Sequence, residues 1–111
     1  MCSSEIVDIL RLELRRGAVP LAVLARLRDE HYGYSLRKII DSKGLKIDEG
    51  TLYPLLRRME KQGLLNSEWR HDDKRKKRYY QISALGEDVL TRLVAEWRKL
   101  NESVDRILEE K

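Results

Sequence analysis

Leu52, Leu55, Leu56 and Met59 fall at i, i+3, i+4 and i+7, the stripe of a helix that buries one face. The other face carries Gly50, Tyr53, Arg57, Arg58 and Lys61. Asp48 suits the N-cap of this helix, and Gly63 suits its stop. Pro54 lies beyond the first turn, where it removes a helix hydrogen bond, so a late start or a bend is expected there. Helical periodicity then gives way to two strand-like runs, residues 64–70 and 78–83, flanking a polar tip that contains Lys74, Arg75, Lys76, Lys77 and Arg78. A helix with one basic face joined to a hairpin with a basic tip has the form of a winged helix. Its helix can enter a DNA major groove while the wing reaches neighbouring phosphates.

Three helices are expected upstream. Residues 4–16 form the first, with Ser3 or Ser4 as its cap and Gly17 at its end. Ile6, Val7, Ile9, Leu10, Leu12 and Leu14 make it apolar on more than one face, so it calls for cover on both sides. Residues 18–30 form the second, with Pro20 in the first turn and Leu21, Leu24, Ala25 and Leu27 facing a core. Tyr32-Gly33-Tyr34 reads as a tight connection into a third helix, residues 35–42, with Leu36, Ile39 and Ile40 inward.

The last helix spans residues 84–109, with Ser83 as its N-cap. Along it Leu90, Leu93, Trp97, Leu100, Val104 and Ile107 follow one another at spacings of 3, 4, 3, 4 and 3, a heptad seam. Such a helix is roughly 39 Å long at 1.5 Å per residue, more than one small winged domain covers. The seam asks for a partner helix, most simply from a second copy, and the first helix is a natural contributor to the same interface. The expected fold is therefore mostly α with a small β hairpin. A winged helix-turn-helix DNA-binding unit occupies residues 1–83, and a long C-terminal dimerisation helix occupies residues 84–111.

Charge sharpens this picture. The chain of 111 residues carries a net charge of +4. Between Pro54 and Tyr80 nine Lys/Arg face four Asp/Glu, which is +5; the other 14 Lys/Arg and 15 Asp/Glu give −1. The positive excess thus sits on the proposed reading head, the electrostatic footprint of a nucleic-acid binder. Cys2 is the single cysteine, so no disulfide framework or zinc cluster is expected. No nucleophile arrangement, carboxylate pair, metal set or phosphate-binding glycine loop argues for an enzyme, and no cofactor is expected. Apolar stretches fall short of a membrane span and no signal-peptide pattern opens the chain, so a cytoplasmic protein is expected. Two other classes share part of the pattern. A winged RNA-binding module needs the basic wing but no dimer seam, and a protein-interaction module needs the long helix but not Arg57, Arg58 and the basic run.

The chain resembles the PadR family of transcriptional regulators, in its short form with a single C-terminal dimerisation helix. The resemblance rests on Gly50-Thr51-Leu52-Tyr53-Pro54, Leu56, Met59-Glu60, Gly63-Leu64-Leu65, Glu68-Trp69, Arg78-Tyr79-Tyr80, Ile82, Gly86 and Glu96-Trp97. It covers the chain from about Leu14 onward. The family commonly has His-Gly-Tyr where this chain has Tyr32-Gly33-Tyr34, so no role carries over to His31. The resemblance implies a homodimer that represses genes from a palindromic operator, with Thr51 and Tyr53 where the recognition helix meets double-stranded DNA. Arg57, Arg58 and Lys61 would then reach phosphates or base edges, and Lys74, Arg75, Lys76, Lys77 and Arg78 would reach phosphates or the minor groove. Trp69 and Tyr80 are expected to pack within the wing. Trp97, on the seam, faces its symmetry mate and is the expected place for a small aromatic effector.

Overall fold

The computed structural model describes residues 1–110, in which five helices accompany a small three-stranded sheet. Helices α1 (Ser3–Arg16) and α2 (Ala18–Arg26) are separated by Gly17 alone. Neither Ser3 nor Ser4 caps α1: both lie inside it, and Cys2 holds the N-cap position without a side-chain hydrogen bond. Helix α2 stops at Arg26, earlier than the apolar pattern suggested. The chain then enters a two-residue strand, β1 (His31–Tyr32), and turns into α3 (Gly33–Ser42). Asp48 holds the N-cap position of α4 (Glu49–Lys61), which is helical from Glu49 onward and continuous through Pro54. Gly63 adopts φ +82°, the left-handed conformation that costs glycine least. Its N–H donates to Glu60 O (2.9 Å) and the N–H of Leu64 to Met59 O (2.9 Å), closing the end of α4.

The wing is larger than a short hairpin. Strands β2 (Leu65–Asp72) and β3 (Arg75–Ile82) pair antiparallel from Leu65↔Ile82 to Asp72↔Arg75. The tip is therefore only Asp73-Lys74, and Arg75 to Arg78 lie within a strand. Asp73 takes φ +57°, which short polar side chains tolerate in a tight turn. β1 pairs with β3 through His31↔Tyr80 and Tyr32↔Tyr79, so the sheet has three strands in the order β1-β3-β2.

Helix α5 (Ala84–Glu109) begins at Ser83, whose hydroxyl accepts from Gly86 N (3.0 Å) and donates to Gly63 O (2.6 Å). One side chain thus ties the start of α5 to the end of α4. The core joins Val23, Leu24 and Leu27 of α2, Leu36 and Ile40 of α3, Leu52, Leu55, Leu56 and Met59 of α4, and Leu65, Tyr80 and Leu90. Leu90 is fully buried in the core (0% exposed), so the exposed part of the α5 heptad stripe starts one step later, at Leu93. From Leu93 to Ile107 its five positions are 38–67% exposed. Helix α1 contributes no buried residue. The molecule measures 58 × 34 × 23 Å, and none of its described helices is long and apolar enough to cross a membrane.

Candidate nucleic-acid interface

Burial of Leu52, Leu55, Leu56 and Met59 fixes the rotation of α4 about its axis. At 3.6 residues per turn the outermost stripe is then Gly50, Pro54, Arg57 and Lys61. Two flanks border it. One carries Thr51 and Arg58 beside Leu55; the other carries Tyr53 and Glu60 and faces α3 and the wing. Arg57, Arg58 and Lys61 are exposed, and among the described residues none of them makes an ion pair. Gly50 and Pro54 present little bulk, so this stripe can approach a groove floor closely.

Thr51 and Tyr53 are both engaged within the chain. The Thr51 hydroxyl donates to Asp48 Oδ1 (2.6 Å), and this bond holds the Asp48 carboxyl below its ordinary range. The Thr51 oxygen keeps its lone pairs free to accept. Tyr53 is half-buried, with its ring over Gly33. A β-carbon on Gly33 would land on the ring edge at Cε1. The glycine of the Tyr32-Gly33-Tyr34 connection therefore makes room for Tyr53 of α4.

The basic run of the wing divides into three kinds of residue. Lys74 and Arg75 are exposed at the tip, with no ion pair among the described residues. Lys76 is also exposed, with its ammonium 5.3 Å from the Trp69 ring centre. Lys77 is half-buried, 3.5 Å from Asp72 Oδ2 and 4.3 Å from the Tyr32 ring centre. Arg78 turns inward: its Nη2 donates to Glu60 Oε1 (2.6 Å) and its Nε to Ser67 Oγ (3.0 Å), while Ser67 itself donates to Glu60 Oε2 (2.5 Å). Of the two aromatics expected to pack within the wing, Tyr80 is instead buried in the main core, and Trp69 is 56% exposed, with Lys76 and Arg78 over its ring.

The sheet's opposite face holds the wing to the body. Arg70 pairs with Glu30 and Glu68, and these bonds raise its pKa. The Tyr79 hydroxyl donates to Asp72 Oδ2 (2.7 Å); this bond raises the Tyr79 pKa and, together with the Lys77 ammonium nearby, lowers that of Asp72. Glu60 and Asp72 escaped the sequence reading because their partners are set by strand register, which spacing along the chain does not display.

A basic helix between a tethered wing and a small helical core has a counterpart among known sequences: the transcriptional regulator PadR-like family matches residues 21–92. This chain belongs to that family. A PadR family regulator from Eggerthella lenta has the same fold at a TM-score of 0.93 and 42% identity, over 97% of this chain and 96% of that one. A PadR-like transcription factor from Bacteroides fragilis superposes with a TM-score of 0.74 at 31% identity, over 90% and 99% of the two chains. A transcriptional regulator of Mycobacterium tuberculosis is 40% identical over 80 residues, covering 71% of this chain and 75% of its own. The PadR-like chain is thus a DNA-binding transcriptional regulator and not an enzyme, with a winged helix followed by one C-terminal helix.

Proposed function

We propose that this PadR-like protein is a cytoplasmic repressor that binds a palindromic operator as a homodimer, with α5 as the dimerisation element following a winged DNA-binding unit. Arg57 and Lys61 on the outer stripe, with Thr51, Tyr53 and Arg58 on its flanks, read or brace the major groove. Lys74, Arg75 and Lys76 contact phosphates from the wing, with Lys77 and Arg78 behind them. One observation carries the reading. Helix α5 runs on past its own core with Leu93, Trp97, Leu100, Val104 and Ile107 exposed, while α1 carries exposed Ile6, Val7, Ile9, Leu10, Leu12 and Leu14 and buries nothing. Two copies pairing along this seam would cover both and relate their two α4 helices by a two-fold axis. Half-sites then lie about one helical turn apart, roughly 10 base pairs, or a multiple of it.

Sedimentation of the wild type against Leu93→Asp/Leu100→Asp tests the seam. The wild type should sediment as a dimer and the variant as a monomer without operator binding, because each Asp would bury an unpaired charge. A variant that stays dimeric overturns the assignment.

Trp97, 38% exposed on the seam, is the proposed contact for a planar aromatic effector that alters the angle between paired helices. Quenching of Trp fluorescence by a planar aromatic acid should survive Trp69→Phe, vanish in Trp97→Ala and accompany a fall in operator affinity.

A further inference from the structure

A groove of about 470 Å³ runs along the flank of α4 that faces away from the wing. Its apolar floor includes Val19, Ile47 and Leu55, and four cations line it: Arg15 and Arg16 from the end of α1, Lys46 from the turn before α4, and Arg58. One carboxylate, Asp48, shares the groove, and it already accepts the Thr51 hydroxyl. Among the described residues none of the four cations makes an ion pair or a side-chain hydrogen bond. The local balance is four positive charges against one negative. The sequence concealed this cluster because acids elsewhere bring the chain outside residues 54–80 to −1.

The local fold holds these residues in place. Gly17 alone joins α1 to α2, which pins Arg15 and Arg16 beside α2. Buried Ile47 anchors the turn, leaving Lys46 exposed next to it. On α1 the apolar residues Ile6, Leu10 and Leu14 recur every four positions. They lie on the side opposite Leu12, Arg15 and Arg16, so a partner helix can cover that stripe and leave the groove open.

We infer that Arg15, Arg16 and Lys46 join Arg58 in a second DNA-backbone site, which grips the phosphates on the wall of the major groove opposite the wing. The inference rests on the DNA-binding reading of α4. A helix with its side chains is about 10–12 Å across and the major groove about 12 Å wide, so a helix lying in it has a phosphate backbone along each flank. The wing serves the flank of Tyr53 and Glu60. The cationic groove serves the flank of Thr51 and Arg58, and arginine and lysine are the side chains that neutralise phosphates there.

Affinity for a mixed-sequence duplex, measured across a salt series, tests this. Arg15→Gln/Arg16→Gln/Lys46→Gln should weaken binding and flatten the log–log salt slope by about 0.9 for each phosphate no longer neutralised. Arg15→Lys/Arg16→Lys/Lys46→Arg should restore the slope. Phosphate ethylation should interfere with wild-type binding on both walls of the groove, and with the glutamine variant on the wing side only. Circular dichroism and sedimentation should match the wild type in both variants. An unchanged salt slope in the glutamine variant, while Lys74→Gln/Arg75→Gln binds less well, overturns the second site and leaves the DNA reading intact. A wild-type protein that fails to bind duplex at low salt overturns the DNA reading itself.

Discussion

Arg78 sits in a run of five cations, yet its guanidinium is committed to Glu60 and Ser67. Composition revealed the charge of the run; only the pairing Trp69↔Arg78 and Ser67↔Tyr80 shows which of its members turn toward α4. Glu60→Gln separates two roles by sign. If Arg78 grips phosphate, removing the neighbouring negative charge strengthens binding to every duplex. If the Glu60–Arg78 pair aligns α4 with the wing, operator affinity falls relative to random DNA. The geometry favours the second outcome, with a loss of specificity of up to about fivefold, since a partly exposed pair contributes at most roughly 1 kcal/mol. Asp72 offers a pH test. Its folded pKa is lowered by the Tyr79 hydroxyl and by Lys77, so the unfolded chain takes up the proton more readily. The stability contributed by its charge is present at neutral pH and disappears as pH falls below the ordinary carboxylate range, near 4. Asp72→Asn should therefore melt below the wild type at neutral pH, and the gap should close in acid. A gap that persists in acid would assign the effect to shape rather than charge.

Helices α2, α3 and α4 were legible from apolar periodicity because each buries one face against the same core, whereas α1 and the distal half of α5 were legible from apolar residues that stay exposed. Strand β1 was not. Two residues carry no period, and their partners Tyr79 and Tyr80 lie far along the chain. The strand character of Arg75 to Lys77 was equally hidden, since the polar run lacks strand alternation and the backbone ladder holds it in place. Helix α4 was readable to within one residue, whereas the cationic groove needed the packing of three helices to appear. Element packing also explains the glycine near the start of α5. A β-carbon on Gly86 would strike the backbone oxygen of Leu64 and the side chain of Ile82. The backbone cannot yield as a side-chain end can, so Gly86→Ala should lose roughly 3 kcal/mol in denaturant unfolding, the upper end of overpacking costs. Gly17→Ala is the control: it has right-handed φ and open space around it, and should unfold no earlier than the wild type.

At the scale of the whole molecule, apolar surface is concentrated on α1 and the distal half of α5, while unpaired cations surround α4. In the proposed dimer, assembly and DNA contact therefore use different surfaces of the 58 Å body, and α1 contributes to both through its apolar stripe and its terminal arginines. The absence of any buried residue in α1 bears on the lifetime of the protein. A 14-residue helix without tertiary cover is marginal in water. In the proposed dimer the partner provides that cover, so an unpaired subunit would have a frayed N-terminal arm open to proteases. Limited proteolysis at falling protein concentration should begin to cut between Ser3 and Arg16 at the dilution where the dimer dissociates, with the winged core cleaved later. Turnover would then remove orphan subunits first, and the cell's pool of regulator would be held at the level where most copies are paired.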